Sequence, residues 1–272
     1  MRPPAAKYYD RANRRLVYVR RQADPSFWDE HWSERDKAKT LKTHGGNKFY
    51  VATTARYLPA AARVLEGGCG LADKVYALQC AGFTACGLDF ARETVQRAKA
   101  AAPDLRLSVG DIRSLPYREG CFDGYWSIGA IEHFYEGFAP IASEMRRVLK
   151  SGGYLFLTFP AMSPLRRLKA RLGAYPDWGK ADTPESRAAF YQFALTPENA
   201  LAAFVGEHGF SEVARVARGG INGLKEEVPW LAPILDPISK ARRRPLTSLR
   251  KLLERILPRL TGHTVLLVMR AG

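Results

Sequence analysis

Residues 64–70 run Val-Leu-Glu-Gly-Gly-Cys-Gly: two apolar side chains, an acid, then a glycine-rich turn. Glycines let a backbone bend sharply and approach a ligand closely, and this turn opens into a helix N-terminus with free N–H groups. Asp89 ends the apolar stretch FTACGLD about twenty residues later, the distance at which a carboxylate can accept both vicinal hydroxyls of a ribose. Asp73 stands where a dinucleotide fingerprint would place its third glycine, and its charge would repel a pyrophosphate, so hydride transfer is disfavoured. A second group that could do chemistry is SIGAIEHF, residues 127–134, which sets Glu132 and His133 just past an apolar segment. His133 could act as a general base, although a histidine at such a turn also serves as a capping or packing group.

These residues need elements to hold them, and the chain supplies a regular alternation. ARVLEG, FTACGLD, DLRLSVGD, FDGYWSIG and YLFLTFP read as five short strands; LADKVYALQCAG, ARETVQRAKAAA and EGFAPIASEMRRVLK read as helices between them. Strands alternating with helices of this length imply parallel βαβ units with right-handed crossovers. After Pro160 the rhythm breaks at several prolines, and FSEVARVARGG and HTVLLVMRA then add two more strands. The expected layout is a basic flexible arm over 1–23, a helical cap over 24–58, a cofactor-binding half over 59–160, and a C-terminal half over 161–272. The last of these carries substrate-side insertions. One of them, residues 221–262, is too long for a simple loop and contains LTSLRKLLERILPRL, a basic amphipathic helix. Its apolar face must bury against the domain as a pocket lid, against a partner chain, or on a membrane, and these readings stay open.

Three further segments extend the pattern: GDIRSLPYREGCFDGYWS, with Asp111-Ile112 after the third strand; EMRRVLKSGGYLFLTFP, a helix, Gly-Gly turn and strand; and the closing strands. Together with the glycine turn and Asp89, they resemble the small-molecule branch of class I S-adenosylmethionine-dependent methyltransferases. The resemblance implies a Rossmann-like, doubly wound, mostly parallel seven-stranded sheet whose last strand is antiparallel, with S-adenosylmethionine as cofactor. It implies that Glu66 and the turn Gly67, Gly68, Cys69 and Gly70 hold the methionine end. Asp89 would bind the ribose, Phe90 would pack near the adenine, and Asp111 and the Ile112 N–H would meet the adenine edge. Carbonyls near Ser127 and Ile128 would meet the cofactor's ammonium. Ala72, where a third glycine is frequent, and Gly67, where a branched residue is common, depart mildly from the pattern. SIGAIEHF also resembles the cyclopropane fatty-acid synthase branch, in which the glutamate belongs to the active site; Glu132 and His133 are therefore the candidate catalytic pair.

Lys and Arg outnumber Asp and Glu by 42 to 27, a net charge of +15 that points to anionic partners. Seven basic side chains fall within residues 1–23, and a second cluster runs from Lys240 to Arg259. The acceptor expected is a small or lipid-linked molecule, with peripheral contact to an anionic membrane. An RNA methyltransferase and a non-catalytic cofactor-binding protein are the competing classes. Against RNA, the fourth strand lacks the Asn/Asp-Pro-Pro-aromatic motif of amino-directed base methylases, and no RNA-binding module is recognisable. Cys69, Cys80, Cys86 and Cys121 form no metal-ligand or paired spacing, so no metal is expected. With no signal-peptide-like apolar stretch, a reduced cytoplasmic setting is the expectation. His31, His208 and His263 read as structural, and His44 as a candidate for the cofactor entrance.

Overall fold

A computed structural model describes residues 5–33, 47–241 and 244–272. The central sheet has seven strands: β3 (Arg63–Gly67), β4 (Thr84–Asp89), β5 (Arg106–Val109), β6 (Phe122–Ile128), β7 (Leu149–Pro160), β9 (Phe210–Arg218) and β10 (Thr264–Ala271), in the order β5-β4-β3-β6-β7-β10-β9. The pairs from β5 to β7 are parallel, and β10 runs antiparallel to both β7 and β9. All seven strands lie where the sequence periodicity puts them.

The inner strands are apolar on both faces because helices cover both. Leu65, Tyr125, Leu155 and Leu157 enter one core cluster, and their neighbours Val64, Trp126 and Phe156 enter the cluster on the other face. The helices α3 (Asp73–Cys80), α4 (Arg92–Ala101) and α5 (Ala139–Val148) connect successive strands. Gly67 is required by this packing: a Cβ there would lie 1.9 Å from the Tyr125 hydroxyl. Ala72 adopts φ +58°, a left-handed conformation that a glycine would hold with less strain.

The N-terminal arm corrects the expectation of flexibility. Residues 6–19 form a hairpin, β1 (Ala6–Asp10) and β2 (Arg15–Val19), and β2 pairs with β8 (Phe190–Ala194) in a second, antiparallel sheet. Asp10 makes the turn by accepting from the Asn13 N–H and side chain and from Arg15 Nε. The hairpin stays in place because Leu16, Val17 and Tyr18 are buried; the basic residues around them obscured that short apolar run in the sequence. The cap is helical as expected, with α1 (Pro25–Ser33) and α2 (Lys48–Tyr57); residues 34–46, and with them His44, lie outside the described residues.

The β9–β10 connection is helical: α7 (Gly220–Glu227), α8 (Ala232–Ser239), α9 (Leu246–Ile256) and α10 (Pro258–Thr261). A buried ionic cluster ties it to the rest. Glu226 and Glu227 of α7 meet Lys7 of β1, Arg166 and Lys169 of α6 (Pro164–Arg171), the Tyr18 and Tyr175 hydroxyls, and His263. Burial alone would raise both carboxyls, but the surrounding cations and donors outweigh it; Glu226 is held well below its ordinary value and Glu227 is lowered to about 2.

Removing one partner of such a cluster strands the others in a dry environment. Glu227→Ala should cost about 3–5 kcal/mol in chemical denaturation. Because the folded pKa is depressed, the stabilisation is full above the ordinary value of 4.5 and disappears as pH falls through about 2. The variant should therefore lose much of the parent's decline across that window.

Candidate functional site

The carboxyl edge of the parallel strands is where a doubly wound sheet leaves a crevice. A cavity of about 450 Å³ opens there, within the usual size of a small-ligand site. Gly68 and Gly70 follow β3, Asp89 and Phe90 follow β4, Gly110 to Ile112 follow β5, and Ile128, Gly129, Glu132 and His133 follow β6; all line it. Gly68 and Gly70 take φ +76° and +49°, which the turn requires.

Asp89 organises this end. Its carboxylate accepts the Gly70 N–H at 2.7 Å and the Ala91 N–H at 2.9 Å. Burial raises its pKa against the pull of these N–H groups. Each oxygen keeps lone-pair capacity for a further donor. Asp111 also lines the cavity; partial burial raises its pKa, but the Arg113 guanidinium, with Nε 2.9 Å from Oδ2, brings it below the ordinary value.

Four of the expected cofactor residues stand behind the lining. Gly67 serves the Tyr125 packing already described, and Cys69 is buried in the core with burial holding its thiol neutral. Glu66 and Ser127 are buried as well, and Glu66 Oε2 and Ser127 Oγ have no hydrogen-bond partner among the described residues. Burial pushes Glu66 up to about 8 although Lys74 opposes the shift.

Glu132 and His133 occupy a one-turn helix over Ile131–His133, and both reach the cavity. Glu132 is 2% exposed, its Oε2 has no hydrogen-bond partner among the described residues, and burial raises its pKa to about 8. His133 Nδ1 lies 2.6 Å from the Tyr191 carbonyl oxygen; since a carbonyl can only accept, Nδ1 carries the hydrogen and Nε2 the lone pair. Burial lowers His133 to about 4, so the ring is neutral at pH 7.

The opposite wall was not legible as a site. α1 contributes Trp28, His31 and Trp32, α2 contributes Phe49 and Tyr50, and β8 contributes Tyr191 and Gln192. Asp29 anchors α1 by accepting from the Thr94 N–H and hydroxyl at 2.7 Å each, which sets Trp32 over the glycine turn: a Cβ on Gly70 would lie 3.0 Å from its ring. Arg218 ends β9, lies over the Phe49 ring and has no carboxylate partner among the described residues. His263, read as structural, lines the cavity beside Thr264 and sits 2.9 Å from Glu226. His31 corrects the same reading; His208 lies away from the cavity. Only the segments PSFWDEHW and NKFYVATTARYL, read as helices that could cap a pocket, hinted at this wall. No cluster of potential metal ligands occurs among the described residues.

Comparison with known proteins agrees with the fold and cofactor half. Residues 65–157 match the methyltransferase-domain family. The 2-methyl-6-phytyl-1,4-hydroquinone methyltransferase of a Synechocystis strain is 27% identical over 186 residues, covering 65% of this chain and 52% of that protein. The malonyl-[acyl-carrier protein] O-methyltransferase of Herminiimonas arsenicoxydans is 34% identical over 135 residues, covering 47% of this chain and 50% of that one. The chain thus spans about half the length of the curated relatives it matches. A chain from the complex between the Haloferax volcanii Trm112 methyltransferase activator and a methyltransferase superposes with TM-score 0.58 at 18% identity, covering 90% of this chain and 97% of that chain. The matched segment, residues 65–157, is a methyltransferase domain, and the solved structures share its fold.

Glu132 makes the electrostatics testable. Its folded pKa of about 8 exceeds the ordinary 4.5, so its contribution to stability is full below pH 4.5 and is lost as pH rises through 8. Glu132→Gln mimics the neutral acid. Denaturation midpoints should match the parent at pH 5 and exceed it above pH 8; identical pH profiles would place this carboxyl in water.

Proposed function

We propose that the protein transfers a methyl group from S-adenosylmethionine to a small-molecule or lipid-linked acceptor. The observation that carries this reading is a single cavity with two unlike ends and Glu132 and His133 in its lining. One end is the Gly68–Gly70 turn with Asp89, Phe90, Asp111 and Ile112. The other is aromatic and holds Arg218, which makes no ion pair among the described residues.

The chain's own groups suit the cofactor. Asp89 would bind the ribose hydroxyls, Phe90 would pack by the adenine, and Asp111 with the Ile112 N–H would take the adenine edge. The unpartnered Glu66 Oε2, with the glycine turn and the carbonyls near Ser127 and Ile128, would serve the methionine end. Lys74, kept charged by Glu66 and Asp73 despite its burial, faces the cavity and suits the cofactor's carboxylate. The cofactor supplies an electrophilic methyl on a sulfonium, so the protein's work is positioning, exclusion of water and proton transfer.

Trp28, Trp32, Tyr50 and Tyr191 wall the acceptor end and exclude water. Where the acceptor atom carries a proton, Glu132 would receive it as the bond to the methyl forms; its pKa lies near the working pH, and a nearby positive charge favours its ionised form. Neutral His133, fixed through Nδ1, would accept a hydrogen bond at Nε2 and orient the acceptor. The relatives' names support this acceptor class: one acts on a phytyl hydroquinone, the other on a malonyl group held by a carrier protein.

Asp89→Ala should weaken cofactor binding in calorimetry by about 1.5–3 kcal/mol while the fold persists; unchanged affinity would remove Asp89 from the site. For Glu132→Gln, turnover should fall by roughly 10²–10⁴ with cofactor affinity retained. In the parent, kcat/KM should rise with pH toward a limb near 8, a limb the variant lacks. The acceptor class is tested with labelled cofactor and fractionated cell extract: label in the lipid or small-molecule fraction is expected, and label confined to RNA would overturn it.

A further inference from the structure

We infer that the outer face of the β9–β10 insertion docks on an anionic lipid surface. α9 buries none of its residues, and with α10 it presents Leu246, Leu249, Leu252, Ile256 and Leu260 outward, each 39–56% exposed. The spacing of three and four residues makes these one continuous stripe. The stripe cannot turn inward. The Glu254 carboxylate, on another face of the same helix, accepts from the Gly220 and Ile221 N–H groups at 3.1 and 3.3 Å, and Leu253 and Leu257 already fill the inner side. Among the described residues none from 219 to 262 lines the cavity, so the stripe is turned away from it.

Neighbouring elements enlarge the exposed apolar surface. Trp230, between α7 and α8, is 74% exposed, and Ile234 of α8 is exposed as well. α6 packs against α10 and leaves Leu168 and Leu172 in solvent. Such a surface calls for an occupant, and the charges beside it identify one. Lys251, Arg255 and Arg259, four residues apart, run along the stripe, are exposed and make no ion pair among the described residues. Arg167 and Arg171 of α6 are exposed too, in a groove shared with Tyr9, Arg14, Thr196 and Glu198. Apolar side chains flanked by unpaired cations, with a tryptophan at the edge, match the boundary between acyl chains and anionic headgroups. A second copy of the chain fits poorly, because pairing this face with itself would bring like charges together in a protein of net charge +15. No described helix is long and apolar enough to cross a membrane, so the contact is peripheral.

The placement ties docking to the cavity without depending on the reaction proposed above. The insertion leaves β9 after Arg218 and rejoins β10 at Thr264; both residues line the cavity, so docking sets the rim of the cavity beside the lipid surface.

The full chain is floated with vesicles of phosphatidylcholine, with and without phosphatidylglycerol, at low and moderate salt. Expected are binding to the anionic vesicles alone and release by salt. Lys251→Glu/Arg255→Glu/Arg259→Glu should weaken binding roughly 100-fold, and Leu252→Asp/Ile256→Asp at least about tenfold. All five side chains are exposed, so melting temperature and cofactor affinity should stay at parental values, which separates failure of docking from failure of the fold or of the site. No binding to anionic vesicles at low salt would overturn the inference. So would unchanged binding by both variants, or a concentration-dependent dimer in light scattering that Leu252→Asp/Ile256→Asp dissolves.

Discussion

The site depends on one carboxylate acting on backbone. Asp89 accepts the Gly70 N–H and the Ala91 N–H, while the Gly68 and Cys69 N–H groups bond to the Leu88 carbonyl. These bonds join the end of β4 to the turn after β3. That turn must take positive φ at Gly68 and Gly70 and would otherwise sample many conformations at a cost in entropy. With the turn fixed, α3 starts where it does, Trp32 can close over Gly70, and the crevice keeps its shape. The same carboxylate that fixes the turn lines the cavity and keeps lone-pair capacity for a further donor.

A second constraint works from the opposite side. Parallel strands leave the carboxyl edge open, and the chain closes it with pieces far apart in sequence: α1, β8, and the ends of β9 and β10. The ionic cluster around Glu226 and Glu227 braces the start of β10, joining His263 to α6, α7 and the hairpin, whose second strand pairs with β8. A buried set of charges contributes little net stability compared with apolar packing, but it tolerates only one geometry. That selectivity suits a wall that must stand at a fixed distance from the cofactor end.

The parallel half was legible in the sequence because its signals are local. A glycine turn, an acid at the end of the next strand and apolar runs of strand length each reflect a constraint acting within one βαβ unit. The hairpin was not legible. Leu16, Val17 and Tyr18 make only a short apolar run among arginines, and their burial depends on β8, far along the chain. Arg218 and His263 escaped notice for a related reason: nothing near either residue marks it, and only the antiparallel pairing of β9 and β10 sets them side by side. Glu132 was legible as a residue, but its proton-holding character was not, since burial is a property of the fold.

The second sheet joins residues at the start of the chain to residues after the whole parallel half. Closing so long a loop is slow and entropically costly compared with forming neighbouring βαβ units. During synthesis, β1 and β2 leave the ribosome long before β8 exists to receive them, and until then the hairpin's apolar residues have no permanent cover. The βαβ units around the glycine turn need nothing from β8 to pair, whereas the aromatic wall waits for the chain to reach it.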